Sequence, residues 1–240
     1  MDRYIIDSDP QTPALVADGV RWLVAEANAI DAPAAAVLVP QVQSIPNPSD
    51  AFGRAVSRDE RAVLSRGRTL TILTTRQLPS SFPGPVLVVW ANTKMAEQAE
   101  HLEPAALCAT SWEPNGLAEW VRVWGATDPR TGEHRPAQLP PPALAGAVAN
   151  ISFHPPGDVL HPSDKARAVD ALRALTLCGY ELDPPMLRAL AIRHGWLPRA
   201  ADRLAELAEK FKAGKPVRGG TKMTKTRACQ VVERFLENGA

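Results

Sequence analysis

The stretch "PVLVVWANTKMAEQAEHLEPAALCAT", residues 85–110, decides how the first half of this chain folds. It opens on one apolar run, 85–91, and closes on another, 105–110, and neither alternates apolar with polar residues. Runs of that kind suit strands buried on both faces, as in a mostly parallel sheet covered by helices. Between them "TKMAEQAEHLE", beginning near Thr93, has helical character. Strand, helix, strand is the unit of an open α/β sheet.

The same grammar extends outward. "RYII" (3–6), "AAAVLV" (34–39) and "TLTILTT" (69–75) are further runs that read as strands buried on both faces. Thr12-Pro13 offers an N-cap and a proline at the first helical position before "ALVADGVRWLVAEANAI". Ser57 and Glu60 form a capping box for a short helix that Gly67 closes, and "NGLAEWVRVWG" ends at Gly125. Trp120 and Trp124 share a face of that helix, as a packed pair would. The pattern predicts a Rossmann-like open, mostly parallel sheet of about five strands over residues 1–127.

Residues 128–142, "DPRTGEHRPAQLPPP", read as a proline-rich linker, because proline removes backbone donors and favours an extended spacer. A smaller all-helical domain is expected over 143–240. Ser163 caps "DKARAVDALRALTLC" and Gly179 stops it; Asp183-Pro184 starts "PPMLRALAIRH", which stops at Gly195. "PRAADRLAELAEKFKA" runs to Gly214, and "KTRACQVVERFLEN" is the last helix. Ala191, Gly195 and Leu204 give 163–213 the outline of helix-turn-helix packing.

With 45% hydrophobic and 22% charged residues, the chain can bury a core and is not globally disordered. Its net charge of +1 hides an asymmetry: 10 Lys/Arg against 14 Asp/Glu in 1–125, and 17 against 12 in 126–240. Cys108, Cys178 and Cys229 are far apart and form no CxxC pair, so neither a disulfide framework nor a cysteine zinc site is expected. The start, "MDRYIIDSDP", carries acids where a signal peptide needs a basic region, and no run reaches membrane-spanning length. A soluble cytoplasmic protein with no membrane association is the expectation.

Open α/β sheets bind ligands outside the carboxyl ends of their strands. Here those ends carry Asp7 and Asp9, then Thr74, Thr75 and Arg76, then Asn92 and Lys94, then Ser111 and Glu113. Asp7, Asp9, Thr75 and Lys94 form the candidate catalytic set. Asp7 and Asp9 would hold Mg²⁺ or Ca²⁺, and Lys94 would balance a phosphate oxygen. "IIDSDP" is similar to the opening strand of inosine-uridine nucleoside hydrolases, which implies calcium on the paired aspartates. The order Asp7/Asp9, Thr74 or Thr75, Lys94 resembles haloacid-dehalogenase-type phosphatases, which implies Asp7 as nucleophile and Asp9 as general acid. Pro10-Gln11 stands where the second family has a small residue and threonine, and no acidic pair follows a later strand. An acid at a strand end is ordinarily just solvated. GxGxxG after the first strand, GxxxxGK[ST] and GxSxG are all missing from the sequence. His154 and His161, with Asp158 and Asp164, lack a fixed helical spacing and read as loop residues.

The last signal is electrostatic. Between 210 and 227 stand Lys210, Lys212, Lys215, Arg218, Lys222, Lys225 and Arg227, with no acid among them. Glycines and several threonines suggest a flexible segment with backbone donors free for phosphates. The reading that follows is a non-enzymatic binding or regulatory protein whose basic helical domain contacts nucleic acid or a protein partner. No cofactor is expected for it. One alternative is a metal-dependent hydrolase of a phosphate or nucleoside substrate, using Mg²⁺ or Ca²⁺; another is an interaction module with an inactive α/β domain.

Overall fold

A computed structural model describes residues 1–7, 14–40, 68–111, 113, 115–151 and 162–238 of the 240. Asp9, Thr12-Pro13, the helix expected over 57–67, and His154, Asp158 and His161 lie outside the described residues. The chain divides into two compact units, Met1–Gln138 and Leu139–Ala240.

The first unit contains β1 (Asp2–Asp7), α1 (Ala14–Ala29), β2 (Ala34–Val39), β3 (Thr69–Thr74) and β4 (Val86–Val88). It continues with α2 (Thr93–Glu100), β5 (Ala106–Ser111), α3 (Ala118–Trp124), β6 (Ala126–Thr127) and β7 (His134–Arg135). The seven described strands form one sheet in the order β3-β2-β4-β5-β1-β6-β7. Each neighbouring pair is parallel except β6 and β7. The fold is therefore α/β with a mostly parallel sheet, and β1 is an inner strand between β5 and β6.

Alternation of side chains divides the core into two layers. Ile6, Val37, Val39, Leu87 and Cys108 cluster with Leu15, Val16, Val20 and Leu23, which recur on one face of α1. Ile5, Leu38, Val88, Leu107 and Ala109 are equally buried and point the other way. Strand β3 departs from the both-faces expectation. It borders only β2 among the described strands, and Thr69 and Ile72 are exposed.

A buried charge ties β1 to the helices. Glu100, with its side chain 1% exposed, accepts from Arg3 at 2.8 and 3.0 Å and from the Trp120 indole at 3.2 Å. The Arg3 guanidinium also lies 4.8 Å from the Trp124 ring centroid. A carboxylate so deeply buried is tolerated because it is paired and hydrogen-bonded. Trp120 and Trp124 are thus core residues.

The stretch expected as a linker is partly structured. Asp128 to Gln138 belongs to the first unit, where Asp128 N–H donates to the Glu133 carbonyl at 2.9 Å and Gln138 N–H to that of Arg122 at 2.7 Å. Two-residue strands in a Pro-rich, charged stretch leave no apolar run for the sequence to display.

The second unit contains α4 (Pro142–Ile151), α5 (Pro162–Leu177), α6 (Pro184–Arg193), α7 (Pro198–Lys212) and α8 (Lys225–Asn238). The Asp183 side chain caps α6 by accepting from Met186 N–H at 3.0 Å. Val169, Leu172, Leu175, Leu204, Leu207, Val232 and Phe235 are buried, while Leu236 is exposed. At Gly146 α4 and α8 approach closely: a Cβ there would lie 1.8 Å from the Phe235 carbonyl oxygen. Arg188 of α6 meets Asp202 of α7 at 2.6 Å.

The cysteines differ from the expectation. Cys178 and Cys229, 51 residues apart, form a disulfide with their Cα atoms 5.5 Å apart. Local spacing rules do not register such a pair, because tertiary packing of α8 beside the end of α5 creates it. Cys108 is free and fully buried in the sheet, where burial pushes its thiol pKa well up.

Candidate functional site

The carboxyl edge of the sheet spreads the first candidate set apart. Asp7 ends β1, and Thr75 follows β3, four strand positions away. At about 4.8 Å per strand spacing that is roughly 19 Å, too far for both to serve one metal or one phosphate. The polar groups between them have local tasks. Thr75 donates to the Pro40 carbonyl at 3.2 Å, Asn92 caps α2 by accepting from Met95 N–H at 2.9 Å, and Ser111 bonds the Glu113 backbone at 3.2 Å. Lys94 is exposed on the first turn of α2.

Asp7 itself faces arginines. Its carboxylate lies 3.6 Å from Arg135, and its carbonyl accepts from Arg130 at 2.7 Å. Arg130 is fixed in turn by Asp128, through Nε at 3.0 Å, Nη2 at 2.6 Å and its own backbone N–H at 2.8 Å. Burial works to raise the Asp128 pKa, but the hydrogen bonds and charge of Arg130 outweigh it and hold the carboxyl below its usual range. The same pairing raises the Arg130 pKa. These residues escaped sequence reasoning because "DPRTGEHR" reads as a polar loop; its only hint is two acids and two arginines around Thr131-Gly132.

Beside this hairpin lies an open cleft of about 290 Å³ lined by Asp18, Arg21, Trp22, Ala25, Pro129 and Arg130. Its charged groups are already paired, Arg21 with Asp18 and Arg130 with Asp128. Among the described residues no group of three or more His, Cys, Asp or Glu could hold a metal ion. No described helix is long and apolar enough to cross a membrane.

The basic segment has a different character. Lys210, Lys212, Lys215, Arg218, Lys222, Lys225 and Arg227 are all exposed, and none forms an ion pair among the described residues. Lys210 and Lys212 occupy the last turn of α7, where cations complement the helix dipole. Lys225 and Arg227 have no such structural reason. They stand at the start of α8, the positive end of that dipole, and its first turn carries no acid.

The loop between α7 and α8 is pinned at residues 219–221. Thr221 donates to both oxygens of Asp170 on α5, from its N–H at 2.6 Å and its hydroxyl at 3.1 Å. Arg173 donates to the carbonyls of Thr221 and Gly219 at 2.6 and 3.1 Å. Gly220 is required here, with φ +70° and a would-be Cβ 2.4 Å from the Asp170 carboxylate. The flexibility expected there is reduced at 219–221, because the Gly219 and Thr221 carbonyls and the Thr221 N–H and hydroxyl are bonded to two side chains on α5.

Residues 150–231 match a family model described as a domain of unknown function (DUF1889). That match covers about a third of the chain and takes in the whole basic segment and both disulfide cysteines. No curated protein and no solved structure matches the chain.

Proposed function

We propose that this chain is a non-enzymatic nucleic-acid-binding protein whose helical unit docks on phosphates through the 210–227 surface. What supports the reading most is the pair Lys225 and Arg227, two exposed cations placed against the dipole of their own helix. Such placement costs helix stability and is offset when an anion neutralises them. A polyphosphate backbone fits seven cations without an intervening acid better than a single small anion does. The mixed charge on α7, including the Arg203–Glu206 pair at 2.7 Å, favours backbone docking over base readout by that helix.

The α/β unit completes the proposal as a Rossmann-like platform, with the cytoplasm as the place where it would meet nucleic acid. The hydrolase reading is not adopted: Asp7 is paired with Arg135, and Thr75 lies four strands from it. The discriminating variant is Lys225→Glu with Arg227→Glu. Acids at a helix N-terminus stabilise it, so thermal stability should be kept or raised, while affinity for duplex DNA or single-stranded RNA falls at least about tenfold. Unchanged affinity, or parent protein that binds neither, would remove the proposal.

A further inference from the structure

We propose that the Cys178–Cys229 disulfide is a redox-controlled anchor of the basic surface, with the oxidised protein binding nucleic acid more tightly than the dithiol form. The inference rests on the proposed function and adds its regulation. The chain from Gly219 to Cys229 runs beside α5, pinned at one end by Asp170 and Arg173 and at the other by Cys178. Those two anchors are about 12 Å apart along the helix, at 1.5 Å per residue. Between them lie Lys222, Lys225 and Arg227, with Arg218 just before. The disulfide therefore sits at one end of the surface that carries the charge.

Reduction removes one anchor without removing the packing beneath it. Val232 and Phe235, further along α8, are buried, and Gly146 holds α4 against the Phe235 carbonyl. What loosens is the start of α8 ahead of the fully buried Ala228, where Lys225 and Arg227 stand. Cys178 and Cys229 are half-buried, and the third cysteine, Cys108, is fully buried in the other unit. In the exchange a dithiol thiolate attacks one sulfur to form a mixed disulfide, and the departing cysteine thiolate takes up a proton. The second reductant sulfur then closes on the first and releases the other cysteine. Two electrons pass to the protein and the reductant leaves as a cyclic disulfide. Ordering a surface in its bound form raises affinity by lowering the entropy lost on binding, so the anchored form is the stronger binder.

The test compares full-length oxidised protein, the same protein reduced with dithiothreitol, and the Cys178→Ser/Cys229→Ser variant. Each is titrated against labelled duplex DNA and single-stranded RNA at one salt concentration. Trypsin cleavage after Lys222, Lys225 and Arg227 is followed in parallel. Reduction should weaken binding about threefold to tenfold and accelerate cleavage at those sites. The double serine variant should match the reduced form and ignore dithiothreitol. Affinities within twofold and equal cleavage rates, with binding intact, would overturn the anchor and leave the nucleic-acid reading standing. Faster cleavage on reduction with no binding in either state would overturn the affinity claim together with that reading.

Discussion

Asp128 shows how a single side chain fixes the carboxyl end of β1. It holds Arg130, which in turn donates to the Asp7 carbonyl. Because the folded-state pKa of Asp128 lies below its ordinary value, its contribution to stability is fully present above the unfolded value of about 3.9. It is lost as pH falls through the lower folded value. Acid melts of the parent should show that loss, and Asp128→Asn should flatten the curve there and cost about 1 to 3 kcal/mol at neutral pH. An acid limb unchanged by the substitution would detach Asp128 from the effect. Asp7 was legible in the sequence as a polar strand end, but its partners were not. Arg130 and Arg135 sit in a stretch with no apolar period, and only strand pairing brings them beside β1.

At the scale of elements, apolar runs marked the five longer strands, and capping residues marked helix starts such as Asp183 before α6. Strand order was not legible, because nothing local in "RYII" requires β1 to insert between β5 and β6. The tight α4–α8 crossing was equally hidden, since Gly146 looks like an ordinary glycine in an Ala-rich helix. Its role gives a clear outcome. Gly146→Ala would place a methyl against the Phe235 carbonyl and force the helices apart, overriding the gain of about 1 kcal/mol that alanine otherwise brings to a helix. Urea unfolding followed by circular dichroism should show net destabilisation. A neutral or stabilising result would contradict that close approach.

Over the whole molecule, the charge asymmetry visible in the sequence maps onto two compact units. The acidic first half builds a sheet at whose edge Thr75, Asn92 and Asp7 are occupied by a loop carbonyl, a helix cap and an arginine. The basic second half presents the seven cations of 210–227, none of them ion-paired among the described residues, and pins the 219–221 part of the loop between them. The charge run was legible as composition. Its clamp was not, because Asp170 and Arg173 lie about 50 residues upstream of Gly219 and Thr221, which they hold. The disulfide escaped for the same reason. The most direct test of the account is the salt dependence of nucleic-acid affinity, measured for the parent and for a variant with Lys210, Lys212, Lys215 and Lys222 changed to alanine. Full engagement of the seven cations on duplex DNA predicts a slope of log K against log salt approaching about −6, and the variant should reduce its magnitude by about 3.6. A slope near zero, or one the four substitutions leave unchanged, would contradict the central claim.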